Sequence, residues 1–379
     1  MPFERLLAEA FAIVTIAAIV YTVGAIVCVA RFEREPDAQE ADRAPPVSLL
    51  VPLHGAEFDL EANLRAFALQ DYPEFQLVLG VARSDDAALA IARRVAAAFP
   101  DRNIDINVGE AAGARNPKIA NVLSMMRLVR HKVLILADSD TRVTPSYVRS
   151  VTTPLRDPGV GVVTCLFAGV PDGSLSSKLG AMFMNEQFIP SVLVSRLFGP
   201  PRHCLGPTNA IRSEVLAEIG GFEALAPHLA DDFMLGSFVA AGGLRVVISR
   251  YVVRTIVSDS SLAALWDHEL RWHRTIRGVQ PAGYAGMFLT YPVPLALLAF
   301  MLAPQVESAV GVVIAALARI ALQRVSARAL RVAPASAWLV LPRDLFGIAL
   351  WACGLAGRAV RWRGAQLRIE SGDVLGERS

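Results

Sequence analysis

Three carboxylate groups in this 379-residue chain have types and spacings suited to chemistry. Asp85-Asp86 follows the apolar segment 76–81 by a few residues. Asp138-Ser139-Asp140 directly closes the string Val133-Leu134-Ile135-Leu136-Ala137. Asp231-Asp232 opens the apolar stretch that continues with Phe233-Met234. Two carboxylates at i and i+2 on a strand-ending turn can grip a hard divalent cation, which takes oxygen ligands and bridges phosphate oxygens. A departing diphosphate needs that neutralisation. An Asp after a buried strand also serves simply to cap the next turn, so an isolated Asp-Ser-Asp reads equally as structure. Further on, His268-Glu269-Leu270-Arg271-Trp272, with His273, Arg274 and Arg277, forms a basic and aromatic stretch. Its cations suit a diphosphate or anionic lipid headgroups. Neither a GxGxxG nor a Walker-type phosphate loop occurs, and GxSxG and HExxH are absent.

The elements that must position these groups are readable from periodicity. Val47-Ser48-Leu49-Leu50-Val51-Pro52 predicts a short buried strand stopped by proline. Residues 59–69 have a helical pattern that ends at Asp71-Tyr72-Pro73. Strands are expected over 76–81, 104–108 and 132–136, with helices over 86–99 and 119–129. Strands alternating with helices at this spacing give βαβ units on a parallel sheet. Ligands of such sheets bind at the carboxyl ends of the strands, where the acidic groups fall.

Composition limits the partners. The chain is 54% hydrophobic and 19% charged, with a formal net charge of +2 and a mean hydropathy of +0.43. These values exclude disordered, collagen-like and disulfide-scaffold classes and give no bulk charge for nucleic acid. Four cysteines without CxxC spacing argue against a zinc site or disulfide framework. Cys28 and Cys353 sit in apolar runs, and Cys165 and Cys204 read as reduced core or loop residues. Met182, Met184 and Phe188 read as core or groove lining.

Residues 10–30 contain no Asp, Glu, Lys or Arg, a length that crosses a hydrocarbon core of roughly 30 Å as a helix. The mixed start (Glu4, Arg5, Glu9) and the basic Arg31 and Arg34 after the run indicate an uncleaved anchor. The basic flank places the following domain in the cytoplasm, a bias that Glu33 and Glu35 weaken. Residues 45–258 hold no run long enough to span. A second apolar zone covers 287–304, bounded or kinked by Pro292, Pro294 and Pro304, and resumes after Glu307 over 309–318. Arg319, Arg324, Arg328 and Arg331 then read as a cytoplasmic or interfacial basic face. A last run, 345–356, lies between Arg343-Asp344 and Arg358, Arg361 and Arg363, as a span with snorkelling ends or an interfacial helix. Two or three C-terminal membrane helices are expected.

The order Asp86, Asp138-Ser139-Asp140, Asp232, His268-Glu269-Leu270-Arg271-Trp272 resembles the D, D, D, (Q/R)xxRW signature of membrane-bound inverting glycosyltransferases. More narrowly, it resembles glycosyltransferase family 21, the ceramide glucosyltransferase group. Val51-Pro52-Leu53-His54-Gly55 is similar to that family's strand-then-PLxG opening. Gln70-Asp71-Tyr72-Pro73 is similar to its DYP turn, Asn116-Pro117-Lys118-Ile119 to its NPK segment, and Gly220-Gly221-Phe222 to a GGF of related transferases. The resemblance covers about residues 47–272. His268 departs from the pattern, standing where Gln or Arg is usual. The ending, with Pro342-Arg343-Asp344-Leu345 and Trp362-Arg363-Gly364, and the Ala- and Arg-rich composition look more like bacterial members that glycosylate hopanoids than like the animal enzymes.

The resemblance implies an α/β fold: a GT-A type glycosyltransferase domain with a Rossmann-like mixed, mostly parallel sheet, plus transmembrane helices. The implied divisions are an anchor and linker (1–43), a cytoplasmic GT-A catalytic domain (44–256), interfacial helices with the motif (257–284) and C-terminal membrane or interfacial helices and tail (285–379). Pro52, Leu53, His54 and Asp86 would cradle uridine. Asp138 and Asp140 would hold Mg²⁺ or Mn²⁺ against the diphosphate, with Lys118 as a further charge. Asp232 would be the base, and Asp231 its helix cap or a supporting partner. Arg271, Trp272 and His268 would act at the diphosphate, although Trp272 alone suits an interfacial anchor equally. The loop Arg202-His203-Cys204-Leu205-Gly206-Pro207-Thr208-Asn209 would approach the sugar or acceptor hydroxyl.

The implied reaction is transfer from a UDP-sugar, favoured as UDP-N-acetylglucosamine, to a lipid hydroxyl, favoured as a hopanoid polyol such as bacteriohopanetetrol, at the bacterial inner membrane. Ceramide glucosylation is the alternative. A transporter component is disfavoured because the spans are few and carry little charge. A non-catalytic nucleotide-sugar-binding protein is disfavoured because all three acidic positions are present, and a processive synthase because a longer multi-span pore is missing.

Overall fold

The computed structural model describes the backbone of residues 2–34, 44–362, 365–371 and 373–376, and the side chains of 6–32, 44–360, 368–369 and 373–376. The linker 35–43 with Glu35, the Arg363-Gly364 pair, and the side chains of Glu4, Arg5, Glu33, Arg34, Arg361 and Trp362 lie outside the described residues.

A long apolar helix, α1 (Pro2–Arg34), opens the chain. An alternation follows: β1 (Val47–Leu53), α2 (Leu60–Ala68), β2 (Phe75–Val81), α3 (Ala87–Ala98), β3 (Asn103–Val108), α4 (Pro117–Met125) and β4 (Val133–Ala137). Every residue of β1, β2 and β4 is buried, as for strands covered on both faces. Next come β5 (Thr141–Arg142), α5 (Tyr147–Thr152), the long β6 (Val160–Pro171), α6 (Leu175–Phe183) and α7 (Ile189–Ser195). A π-helical turn, Met184–Phe188, joins α6 to α7. Then follow β7 (Thr208–Arg212), α8 (Ser213–Glu218), α9 (Asp231–Ala241) and β8 (Arg245–Val257). The remainder is helical, α10 (Leu262–Val279), α11 (Pro281–Gly286), α12 (Pro292–Leu302), α13 (Val306–Ala329) and α14 (Val340–Gly354), before β9 (Ala359–Trp362), β10 (Ala365–Ser371) and β11 (Val374–Leu375).

Two compact units result. Residues 36–167, 200–256 and 361–379 form the sheet unit, and 1–35, 168–199 and 257–360 the helical unit. The eight-stranded sheet has the order β3-β2-β1-β4-β7-β6-β8-β5. β1 pairs in parallel with β2 and β4, and β2 with β3. β7 runs antiparallel to β4 and β6, and β5 to β8, so the sheet is mixed. The parallel strands share one carboxyl edge, and the segments after β1, β2 and β4 meet there. Leu50, Val78, Ile119, Met125, Leu134, Ile211 and Leu235 belong to its core. The expected helix over 119–129 begins at Pro117 and gives way to a 3-10 turn, Met126–Leu128. α4 lies close on β2 because Gly80 has no Cβ, which would stand 2.6 Å from Asn121 Oδ1. Asn121 Nδ2 donates to the Gly80 and Leu53 carbonyls (2.9 and 3.4 Å), anchoring α4 to both strand ends.

In the helical unit α1 packs against α12, α13 and α7, and the Tyr21 and Ser191 hydroxyls are 2.8 Å apart. Among the described residues three helices are long and apolar enough to cross a membrane: Leu6–Phe32, Val306–Ala329 and Ala337–Gly354. A fourth apolar pair, Pro281–Thr290 with Pro292–Leu302, is bent by 65°. The expected proline breaks fall there, with Pro292 opening α12 as its first residue. α1 exposes Ile13, Ile16 and Val20, and α13 exposes Val310, Val313 and Leu317, a lipid-compatible surface.

Several charges differ from expectation. Arg324, Arg328 and Arg331 are exposed, but Arg319 is fully buried. It pairs with Asp344 Oδ1 (3.0 Å) and Glu186 Oε2 (3.4 Å). Arg343 and Asp344 do not flank a span at a wet boundary. Both are buried within α14, and Arg343 holds Glu269 of α10 through bonds of 2.9 and 2.6 Å. The candidate spans therefore hold three buried charges, Arg319, Arg343 and Asp344, and these are internally paired. Breaking a buried pair from one side costs about 3–5 kcal/mol. Arg319→Met is thus expected to lower the thermal midpoint of the detergent-solubilised protein strongly. Arg319→Met/Asp344→Leu, which removes both charges, is expected to recover part of it; equal midpoints for wild type and the single variant would refute this.

The basic stretch on α10 is also reassigned. His273 is buried, with Nδ1 3.2 Å from the Tyr284 hydroxyl, and burial, then Arg343, depresses its pKa to about 3. It is neutral at physiological pH and adds no charge. Arg277 donates to the Gly354 and Gly357 carbonyls (2.6 and 2.5 Å), and Arg274 to those of Ala356 and Ala359 (3.3 and 2.5 Å). They satisfy carbonyls left open where α14 ends.

Candidate active site

At the shared carboxyl edge of the sheet unit, Asp86 is the N-cap of α3, accepting from Ala88 N–H at 2.8 Å. Both its oxygens also accept from Gly55 N–H (2.9 and 3.1 Å), and His54 Nδ1 stands 3.7 Å away. Gly55 has φ +69°, a left-handed conformation that suits glycine. The segment after β1 is thereby tied to the segment after β2. Pro52 and Leu53 turn their side chains into the buried sheet, leaving their backbone to border the edge, whereas His54 is exposed.

The centre of the site is a buried lysine between carboxylates. Lys118 is 6% exposed, so it is no solvated helix-start residue. Pro117 opens α4, and Asn116 caps it by accepting from the Lys118 and Ile119 amides. The Lys118 Nζ reaches Asp138 Oδ1 at 2.9 Å and Asp231 Oδ2 at 3.3 Å. Burial opposes its charge, but Asp138 and then Asp231 outweigh that and raise its pKa. Asp231 is the first residue of α9 rather than its cap, and its Oδ1 lies 3.3 Å from Asn116 Nδ2. Of the two readings of Asp231, partner or cap, the geometry matches partner.

Asp232 faces the same space. A Cβ placed on Gly206 would lie 3.5 Å from Asp138 Oδ2 and 3.6 Å from Asp232 Oδ2. The two oxygens thus lie on the same side of Gly206, at ordinary contact distance from where a Cβ would stand. Burial, then the like charge of Asp231, pushes the Asp232 carboxyl up to about 7. The loop carrying Gly206 lies against α9 at Gly236, where a Cβ would stand 2.6 Å from His203 Cα. His203 stacks on Phe233 with ring centroids 3.7 Å apart, and its Nδ1 is 3.0 Å from Ser237 Oγ. Burial, then Arg202, lowers its pKa to about 4, so this histidine is neutral.

Asp140 sits in an acidic corner. Its carboxyl is held well above the usual range by burial, then by Asp138 and Glu57. Ser139 Oγ donates to Glu57 Oε2 at 2.5 Å, and Asn63 Nδ2 to the Ser139 carbonyl at 3.1 Å. Among the described residues no three His, Cys, Asp or Glu side chains gather closely enough to hold a metal ion. The donors present are carboxylate oxygens, and Asp140 lies close enough to Asp138 and Glu57 for their charges to raise it. That set fits a hard cation of the Mg²⁺ or Mn²⁺ type, which keeps waters and takes substrate phosphates as its other ligands.

The motif residues His268, Arg271 and Trp272 lie on α10, in the helical unit. His268 Nδ1 is 3.1 Å from Asp259 Oδ1, and its ring meets Trp272 edge-on at 4.4 Å. Trp272 stacks on Phe183 at 5.7 Å, which makes it a packed residue of this unit. Arg271 is half-buried.

Sequence reasoning assigned no role to Glu57 or to Asn116, which was named only with its NPK segment. Glu57 had a readable signal, since it follows the first strand by four residues. Gly206 was placed near the sugar or acceptor with its loop, but not beside the Asp138 and Asp232 oxygens.

The parallel half-sheet with acidic strand ends places the fold in the GT-A-like class of glycosyltransferases. Among solved structures the chain is similar to the mannosyltransferase PcManGT from Pyrobaculum calidifontis, solved with GDP-Man and Mn²⁺. The TM-score is 0.59 at 19% identity, over 92% of this chain and 99% of that one. The chain belongs to Glycosyl transferase family 21, whose pattern it matches over residues 10–375. It is 22% identical over 232 residues to ceramide glucosyltransferase 1 of Caenorhabditis elegans, covering 60% of this chain and 49% of that protein. It is 24% identical over 241 residues to ceramide glucosyltransferase 3 of the same animal, covering 62% and 51%. The chain spans about half the length of these curated relatives.

Proposed function

We propose that this glycosyltransferase moves a hexosyl group from a UDP-sugar to the hydroxyl of a membrane lipid, in one inverting displacement. The observation that carries the reading is the gathering of Lys118, Asp138, Asp231 and Asp232 at the carboxyl edge of parallel strands, in a chain with three bilayer-length apolar helices. Asp232 takes the proton of the acceptor hydroxyl. Backbone at 52–55 and the Asp86 carboxylate border the uridine. Asp138 and Asp140 hold a divalent cation; when bound, that ion neutralises charge on the leaving diphosphate. Lys118 then divides its charge between Asp138 and the phosphates.

The acceptor favoured here is a hopanoid polyol and the donor UDP-N-acetylglucosamine, on the strength of the Pro342-Arg343-Asp344-Leu345 and Trp362-Arg363-Gly364 ending. A second reading, UDP-glucose to ceramide, is supported by the two named relatives. The basic flank after the first apolar run supports a cytoplasmic catalytic unit on an inner membrane. Lipid mass spectrometry of a deletion strain separates the acceptors. Loss of a hexosamine-bearing hopanoid supports the first reading, loss of a glucosylceramide the second, and an unchanged lipid profile neither.

From the sequence motif, Arg271 is proposed as a donor to the leaving diphosphate. Arg271→Ala is expected to lower kcat by roughly 10²–10³-fold, the usual loss for one charge-stabilising donor, without loss of fold. Arg271→Lys should restore it only in part, because an ammonium cannot reproduce a bidentate contact. Steady-state UDP release by both variants tests this. Wild-type turnover in the alanine variant would leave Arg271 a headgroup anchor.

A further inference from the structure

Residues 373–376, the last described, are held by hydrogen bonds to segments far away in sequence. β11 forms a bridge with His228, 146 residues earlier, as well as pairing with β10. Leu229 N–H donates to the Asp373 carbonyl (3.0 Å), and Leu375 N–H to that of Pro227 (2.8 Å). Arg115 Nη1 donates to the Leu375 carbonyl at 2.8 Å. The Asp373 side chain is 4% exposed, and each of its oxygens is used. Oδ1 is 3.0 Å from His228 Nδ1, and Oδ2 accepts from Ala230 N–H at 3.2 Å. Ala230 is the N-cap of α9 and has no side-chain acceptor of its own. Asp373 accepts from the cap's own amide, as the acidic member of a capping box does, and its charge is favourable at the positive end of the helix.

The segments this tail grips are the two that carry the site. Residues 227–230 lead directly into Asp231 and Asp232, and Arg115 precedes Asn116 and Lys118. Asn116 already links them: its N–H donates to the Ala226 carbonyl (2.9 Å), and its Nδ2 to the His228 carbonyl (2.8 Å). We propose that residues 373–376 form a strap that sets Asp231 and Asp232 against Lys118 and Asp138, with Asp373 as its positioning residue. Asp373 touches none of the four, so it acts through the 227–230 backbone and His228. Five bonds tie this segment to the two loops that carry the candidate site.

The inference rests on reading the Lys118–Asp232 cluster as the catalytic centre. The test uses the full-length chain with Asp373→Ala, Asp373→Asn, Asp373→Glu and Asp231→Asn, alone and combined. UDP affinity in Mn²⁺, kcat and thermal midpoint are measured for each. The expected result is a kcat about tenfold or more below wild type in Asp373→Ala, with UDP affinity within about twofold and partial rescue by Asp373→Glu. In the Asp231→Asn background the Asp373→Ala loss should shrink, because groups acting through one another are not additive. Asp373→Asn, isosteric and neutral, carries the test if the alanine variant fails to fold. Unchanged kcat, or a loss fully additive with Asp231→Asn, overturns the strap. An active Asp232→Asn enzyme would instead overturn the base assignment while leaving the Asp373–Asp231 coupling readable.

Discussion

Asp232→Asn is expected to keep fold, membrane insertion and UDP-sugar binding and to lose glycosyl transfer by about 10²–10⁴-fold, the range of a positioned general base. Direct displacement at an anomeric carbon needs a hydroxyl nucleophile and a destination for its proton. Of the carboxylates at the carboxyl edge, Asp86 is held by the Gly55 and Ala88 amides. Asp138 and Asp231 are bound to Lys118. Asp232 has its Oδ2 beside Gly206, and asparagine there preserves shape but accepts no proton. Asp231→Asn is expected to be milder, since Lys118 keeps Asp138. Donor affinity by calorimetry and product formation by mass spectrometry separate binding from chemistry, and NMR of the product should show a β-linkage from an α-linked donor. An α-linked product, or turnover in the asparagine variant, would sink single displacement.

The strand half of the sheet unit was legible because it repeats one unit. Continuous apolar runs at 47–52, 76–81 and 132–136 are what doubly covered parallel strands require, and each appears within about a residue of its expected bounds. The antiparallel strands β6, β7 and β8 carry no such rhythm and went unread. Nor did periodicity reveal that residues 168–199 leave the sheet for the helical unit, since a buried apolar helix looks alike in either place. The charges of α13 and α14 were misread for a related reason. Arg319 sits at a helical spacing from exposed arginines, and only the position of Asp344 and Glu186 turns it inward.

The candidate site could be read as a set of residue types but not as a set of partnerships. Asp86 and Asp138 stood out from their place after strands, the pair Asp231-Asp232 from its helix start, and Asp232 within it from the family resemblance. The pairing of Lys118 with Asp138 and Asp231 spans 113 positions of sequence, and no local pattern encodes it. The tail's grip on residues 227–230 is longer-ranged still. Contacts of this kind follow from topology, so they become visible only when the sheet order is known.

Asp138 and Asp140 are expected to reveal themselves by separating stability from function. Asp138→Ala should abolish activity and weaken UDP binding in Mn²⁺ or Mg²⁺, because it removes one of the two proposed cation ligands and the nearest partner of Lys118. Asp140→Asn should also lose activity, yet it should not lower stability. In the folded chain the Asp140 carboxyl is raised by burial, then by Asp138 and Glu57. A carboxyl raised on folding opposes folding once pH passes its unfolded value, so neutralising it should hold or raise the metal-free thermal midpoint. Acidic groups crowded at a cost to stability are what a cation-dependent donor site requires. The described residues bring too few ligands together for a permanent cage, so Mn²⁺ should bind weakly alone and tightly with UDP. Calorimetric titration of UDP with and without Mn²⁺ reads this directly, and excess EDTA should stop turnover. Full activity in EDTA, or an Asp140→Asn variant that binds Mn²⁺ and UDP like wild type, would remove the metal from these two residues.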